Sequence, residues 1–171
     1  APRIRDLDRT HTFDRTLLPQ MAALGLLGLS VPAEYGGSGT DYIALGLASE
    51  ELEYVDTSLR VILSVHVGLN SLTLLAWGTE DQKQRYLVPQ AQGLKIASYG
   101  LTEPSAGSDA RGIQTVAIKK GDRYLLTGEK TWISNGGIAD HYVVFTRSGE
   151  APGARGLSAY LVPADTPGLT I

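Results

Sequence analysis

Two polar, glycine-rich stretches hold most of the residues that could bind and orient a ligand. The first runs Tyr99-Gly100-Leu101-Thr102-Glu103-Pro104-Ser105-Ala106-Gly107-Ser108-Asp109. A strand ending at Leu101 would free the next backbone amides from a ladder. Pro104 sets a turn, and Gly107 lets a backbone approach a flat ligand closely. Thr102, Ser105 and Ser108 bring hydroxyls that donate or accept. Such a loop can hydrogen-bond a heteroaromatic edge or a phosphate. The second stretch runs Gly128-Glu129-Lys130-Thr131-Trp132-Ile133-Ser134-Asn135-Gly136-Gly137. If it is extended, Trp132 and Ser134 share a face, and a ring beside a hydroxyl could pack against a flat heteroaromatic ring and hydrogen-bond it. The plainer alternative is two ordinary turns between strands, with Trp132 in the core.

The elements that must position these stretches differ between the two halves of the chain. From about Phe13 to Gln92 the apolar spacing is helical. Phe13, Leu17, Met21 and Leu24 form one stripe, with Pro19 near the first turn and Gly25 and Gly28 at the end. A second helix is expected from Asp41 to Tyr54, with Ile43, Leu47 and Leu52 inward. A third, capped by Thr57 or Ser58, should reach Trp77 and be central: Leu59, Ile62, Leu63, His66, Leu69, Leu72 and Leu75 make it apolar on most sides. Thr79 and Gln82 form a capping box for a short fourth helix, which Pro89 should end or kink. After Leu94 the pattern changes. Lys95–Leu101, Gln114–Lys120, Arg123–Thr127, His141–Arg147 and Leu157–Pro163 read as strands. Gly121-Asp122 is a two-residue hairpin signal, and Leu169–Ile171 reads as a strand beginning. The expected organisation is therefore a helical domain over 1–93 and a β domain over 94–171.

Composition narrows the function. The 171 residues carry 15 basic and 18 acidic side chains, so no basic excess marks a nucleic-acid footprint. The absence of cysteine excludes disulfides, thiolate metal sites and a cysteine nucleophile. His11, His66 and His141 are far apart, which gives no metal spacing, and His66 is expected to be a satisfied core residue. No apolar run approaches the roughly 18–20 residues of a membrane span. Gly36-Gly37-Ser38-Gly39 follows no strand and reads as a tight loop rather than a phosphate cradle. Glu50, Glu51 and Glu53 read as a solvated face, and Trp77 as core.

Together the two stretches resemble the signatures of the acyl-CoA dehydrogenase family. Leu101–Asp109 follow its pattern apolar–Thr–Glu–Pro–x–x–Gly–Ser–Asp, and Gly128–Gly136 follow Gly–x–Lys–x–Trp–Ile–Ser/Thr–Asn–Gly. Leu29–Gly37 and Gly78–Lys83 resemble upstream loops of the same family, in the same order. The resemblance implies an α+β architecture: an N-terminal α-helical domain followed by a small antiparallel, barrel-like β domain. It implies FAD as cofactor, with Tyr99, Leu101, Thr102, Gly107, Ser108, Trp132, Ile133 and Ser134 as its contacts and Ser108 also as a substrate contact. It makes Glu103 structural rather than catalytic. No metal is implied.

The implied chemistry is α,β-desaturation of an acyl-CoA in fatty-acid metabolism. The base would be a carboxylate beyond Ile171, so the chain reads as about the first two-thirds of such an enzyme. The resemblance further implies electron-transfer flavoprotein as acceptor, a homodimer or homotetramer, and a cytoplasmic protein, or a mitochondrial-matrix one in a eukaryote. Alternatives on the same scaffold are an oxygen-using acyl-CoA oxidase, nitroalkane oxidase or flavin monooxygenase, and a non-catalytic flavin-binding subunit. A plain structural module would be colourless.

Overall fold

A computed structural model describes residues 2–149 and 151–171, apart from the side chain of Pro2. It comprises two compact units, Ala1–Ile96 and Ala97–Ile171.

The first unit is helical. Helices α1 (Pro2–Arg9), α2 (Leu17–Ala23) and α3 (Tyr42–Val55) precede two further helical rods, Thr57–Trp77 and residues 80–91. Their starts are set by side-chain caps. The Asp41 carboxylate accepts from the Ala44 amide at 2.9 Å. Asp56, rather than Thr57 or Ser58, caps the next helix by accepting from the Ser58 amide at 2.8 Å. The capping box at Thr79 and Gln82 forms in both directions, at 2.9 and 3.3 Å. Both long rods contain π-helical turns, at Ser64–Ser71 and Lys83–Leu87. The second lies just before Pro89, and helical backbone continues past the proline to Ala91. A widened turn accommodates a residue that lacks an N–H and crowds the carbonyl four residues back.

Leu27, Val31, Leu63, Val67 and Leu87 form the solvent-free centre of this unit. Several expected inward residues are outside it. α2 starts only at Leu17, and Gly25 turns left-handed at φ +74°, so Leu24 is exposed. Ile43, Leu47, Leu69 and Trp77 are also exposed. On α3 no residue is fully buried, so its apolar stripe faces outward. The Thr57–Trp77 helix is long and apolar enough to cross a membrane by length and composition, against the sequence expectation. Half of its most apolar window is buried within the protein, as befits a core helix.

The second unit is a five-stranded mixed sheet. Strands β2 (Val116–Lys120) and β3 (Arg123–Thr127) form the expected hairpin, with Gly121 at φ +64°. Strand β4 (His141–Arg147) pairs along its whole length, antiparallel, with β5 (Leu157–Pro163). Strand β1 (Ala97–Gly100) pairs with β4 in parallel, from Ala97 opposite His141 to Gly100 opposite Val144. β2 joins β4 only at Val116 opposite Arg147, again in parallel. Among the described residues β3 and β5 each pair on one side only, so the sheet is open. This corrects the antiparallel, barrel-like expectation. Residues 101–140 cross over and return β4 in the direction of β1, and a parallel pair requires such a crossover. Residues 169–171 form no strand.

Candidate functional site

The chain leaves the sheet after Gly100 and folds at once into a miniature hairpin. The amides of Glu103 and Ala106 each donate to the other's carbonyl at 3.1 Å, with Pro104 and Ser105 at the exposed tip. The Glu103 side chain points inward and is 4% exposed as a residue. Its carboxylate accepts from the Gln114 amide at 2.5 Å, the Thr115 amide at 3.0 Å and the Lys130 ammonium at 2.7 Å. Burial pushes this carboxyl up. The amide of Gln114, the ammonium of Lys130 and the donors of Thr115 outweigh that push and hold it at about 2. Such a group is ionised and saturated with donors, which suits an anchor and not a general base.

The second stretch is fastened to the first. Lys130 also donates to the Leu101 carbonyl at 3.1 Å, and the Thr131 amide to the Thr102 carbonyl at 3.0 Å. Burial lowers the ammonium's pKa while Glu103 pulls it back up. Further along, the Ser98 hydroxyl donates to the Ser134 carbonyl at 2.7 Å, and the Asn135 amide group to the Ala97 carbonyl at 3.0 Å. The Tyr142 hydroxyl donates to the Gly136 carbonyl. Gly128 allows the entry: a Cβ there would lie 2.3 Å from Thr115 Oγ1 and 2.7 Å from its Cα. The second stretch thus runs alongside β1, from the turn after Gly100 back to Ala97.

Trp132 is not in a strand. Its backbone is left-handed at φ +56°, as is Asn135 at +64°, and the residue is 90% exposed. The expected strand alternation between Trp132 and Ser134 therefore does not apply, and Trp132 is not core. A bulky residue at positive φ is uncommon and persists only where its surroundings hold it; the bonds of Lys130, Thr131 and Asn135 are those surroundings. Of the other predicted residues, Tyr99 is half-buried, its ring 4.9 Å from that of Phe145. Leu101, Thr102, Ile133 and Ser134 are half-buried, while Gly107 and Ser108 are exposed. A Cβ on Gly107 would meet nothing within 4 Å, so space for a ligand adjoins it. Exposed Asp109 is engaged by the Arg111 side chain at 2.8 Å.

Sequence reasoning missed Ser98 and Asn135, and gave Lys130 no role. The signal for Lys130 was an acid in one motif and a base in the other. Ser98 and Asn135 act through backbone carbonyls, which leave no trace in residue types. His66, in the helical unit, is fully buried with Nε2 3.0 Å from the Gln90 carbonyl. Burial pushes it down to about 4 against the pull of that bond, so it is a neutral core residue.

Comparison with known proteins places both units. The family profile "Acyl-CoA dehydrogenase, N-terminal domain" matches residues 1–94, and "Acyl-CoA dehydrogenase, middle domain" matches residues 98–171. A short-chain specific acyl-CoA dehydrogenase of Clostridium acetobutylicum is 41% identical over 99% of this chain and 45% of its own length. The structure of butyryl-CoA dehydrogenase from Megasphaera elsdenii superposes with a TM-score of 0.95 at 40% identity, covering 99% of this chain and 45% of that one. The prolyl acyl carrier protein oxidase AnaB superposes at 0.85 and 37% identity, over 92% of this chain and 42% of its own. The chain thus spans less than half the length of these relatives, not two-thirds. With a family profile matched across each of its two units, the chain belongs to the acyl-CoA dehydrogenase family.

Proposed function

We propose that this chain contributes the two loops that hold the flavin ring of an FAD-dependent acyl-CoA dehydrogenase. The observation that carries the reading is the lacing of the second signature loop to the first and along β1, through Thr131 to Thr102, Lys130 to Leu101 and Ser98 to Ser134. Trp132 follows directly on the Thr131–Thr102 bond and is exposed, and Gly107 follows the Glu103–Ala106 hairpin with open space at its Cβ position. That set suits a flat heteroaromatic ring with a phosphate tail. A planar aromatic face is available for stacking, hydroxyls and amides serve the polar edge, and a residue without Cβ adjoins the space for the tail. In this reading Leu101, Thr102 and Ser134 hydrogen-bond the ring, with Tyr99 and Ile133 beside them and Trp132 against one face. Gly107 and Ser108 lie toward the pyrophosphate, with Ser108 reaching substrate.

FAD, when bound, supplies the oxidising group for removing two hydrogens from the α and β carbons of an acyl-CoA. The chain's own residues orient that group and exclude water from one side. Glu103 is committed to three donors and is therefore not the proton acceptor in this reading. The reading includes electron-transfer flavoprotein as acceptor and assembly as a dimer or tetramer.

The test is FAD binding by the protein. A yellow protein is expected, with Trp132→Ala and Thr102→Ala each weakening FAD binding. A folded, colourless protein that ignores added FAD would end the proposal. A second reading takes support from the likeness to AnaB, an oxidase: the same loops could serve a flavin reoxidised by oxygen. Reduced protein that is reoxidised by air in seconds, and not by electron-transfer flavoprotein, would select it.

A further inference from the structure

We propose that Lys130 and Glu103 are positioning residues that make the two loops a single binding element, so that neither presents its ligand contacts without the other. The proposal rests on the flavin reading above. Lys130 stands two residues before Trp132, and Glu103 one residue after Thr102. Their ion pair, 2.7 Å long, joins side chains only 12% and 3% exposed. The ammonium is shared with the Leu101 carbonyl at 3.1 Å. One cation therefore grips the first loop by a backbone group and a carboxylate at once. On the far side, the same carboxylate holds the Gln114 and Thr115 amides, which lead into β2. The pair thus links three segments: the turn after β1, the entry to β2 and the approach to Trp132.

The need for such a grip is visible at Trp132. An exposed tryptophan at φ +56° has little packing of its own to hold it there, and that backbone region is unfavourable for a bulky side chain. The bonds from Lys130 and Thr131 hold the segment just before it, and Asn135 holds the segment just after. Without Lys130 the first of these supports is halved, and the loop is free to relax toward ordinary extended backbone. The apparent affinity for a ligand falls in proportion to the fraction of free protein that holds the competent shape. Lys130 and Glu103 would then govern flavin affinity without touching flavin.

The experiment uses the protein in a Trp77→Phe background; Trp77 lies in the other unit, and its replacement leaves Trp132 as the only tryptophan of residues 1–171. Three variants are compared: Lys130→Met, Glu103→Gln and the double variant. Two quantities are read on folded protein: FAD affinity, and the fluorescence anisotropy of Trp132 without FAD. The expected result is FAD affinity lowered on the order of tenfold in each single variant, with lower Trp132 anisotropy. The double variant should be no worse than the weaker single, because the two side chains act as one unit. Wild-type anisotropy with FAD affinity within about twofold overturns the proposal. Weaker FAD binding with unchanged anisotropy also overturns it, since Lys130 would then act on the ligand itself. Should Lys130→Met fail to fold, Glu103→Gln decides on the same two readouts. Trp132→Ala serves as the control: if it too leaves FAD affinity unchanged, the flavin reading has failed rather than the positioning pair.

Discussion

In the helical unit the main buried polar cluster is neutral and lies between helices; in the β unit, beside buried neutral groups such as Ser98, His141 and Thr146, one cluster is built on a charged pair and lies between loops. His66, Asn70, Ser71 and Gln90 are all fully buried. Gln90 Nε2 donates to Asn70 Oδ1 and to Ser71 Oγ, each at 3.1 Å, and the Ser71 hydroxyl donates to the His66 carbonyl at 2.9 Å. Neutral hydrogen bonds suffice there because the helices are already ordered by their own ladders and by the apolar core. Loops have neither support. An ion pair with several satisfied acceptors can hold them, provided that both partners are present. The helical cluster therefore sets the register between two rods, and the charged pair sets the shape of two loops.

The sharpest way to break this contrast is to strip one partner from each cluster. Lys130→Met should destabilise the β unit by about 3 kcal/mol, the lower end of what an orphaned buried charge costs, because Lys130 retains some exposure. Chemical denaturation followed by far-UV circular dichroism would measure it. A loss equal to that of a surface lysine variant would mean that the pair is solvated.

Acid separates the two units by pH window. The folded pKa of His66 is depressed from 6.5 to about 4. The unfolded chain thus binds more protons between those values, and the helical unit loses stability as pH falls through that range. The loss is on the order of 3 kcal/mol when complete. The Glu103 carboxyl is depressed from 4.5 to about 2. Its contribution is whole above about 4.5 and disappears only as pH falls toward 2. Amide hydrogen exchange against pH should show the helical unit loosening first, and His66→Gln should flatten its dependence between pH 6.5 and 4. Simultaneous loosening of both units would refute the assignment.

Glycine substitutions sharpen the comparison within the β unit. Gly128→Ala drives a methyl group into Thr115 and should cost about 1–3 kcal/mol, as overpacking does. Gly107→Ala meets nothing; its melting temperature should stay near wild type, while FAD binding weakens if the proposed tail site is real. Between these two in stability falls Thr79→Ala, which removes one half of the capping box at the start of the 80–91 helix and should cost about 1 kcal/mol. Thermal melts of these variants, run together, would rank them.

Local pattern carried much of this protein's structure. The hairpin at Gly121-Asp122, strands β3, β4 and β5, the Thr79–Gln82 box and the helical character of residues 42–91 follow from period, turn residues and capping chemistry. These act within a few residues of one another, so a sequence displays them. Both signature loops were legible as well, as motifs whose residue types suit a flat ligand. Tertiary structure alone decided the rest. The parallel pairing of β1 with β4, and with it an open sheet, depends on where a crossover of some forty residues returns. The outward turn of Ile43 and Leu47 depends on which neighbours cover α3. The left-handed backbone of Trp132, where alternation predicts a strand, is imposed by hydrogen bonds from Lys130, Thr131 and Asn135. Each of these balances a local preference against contacts distant in sequence, and residue spacing records only the preference.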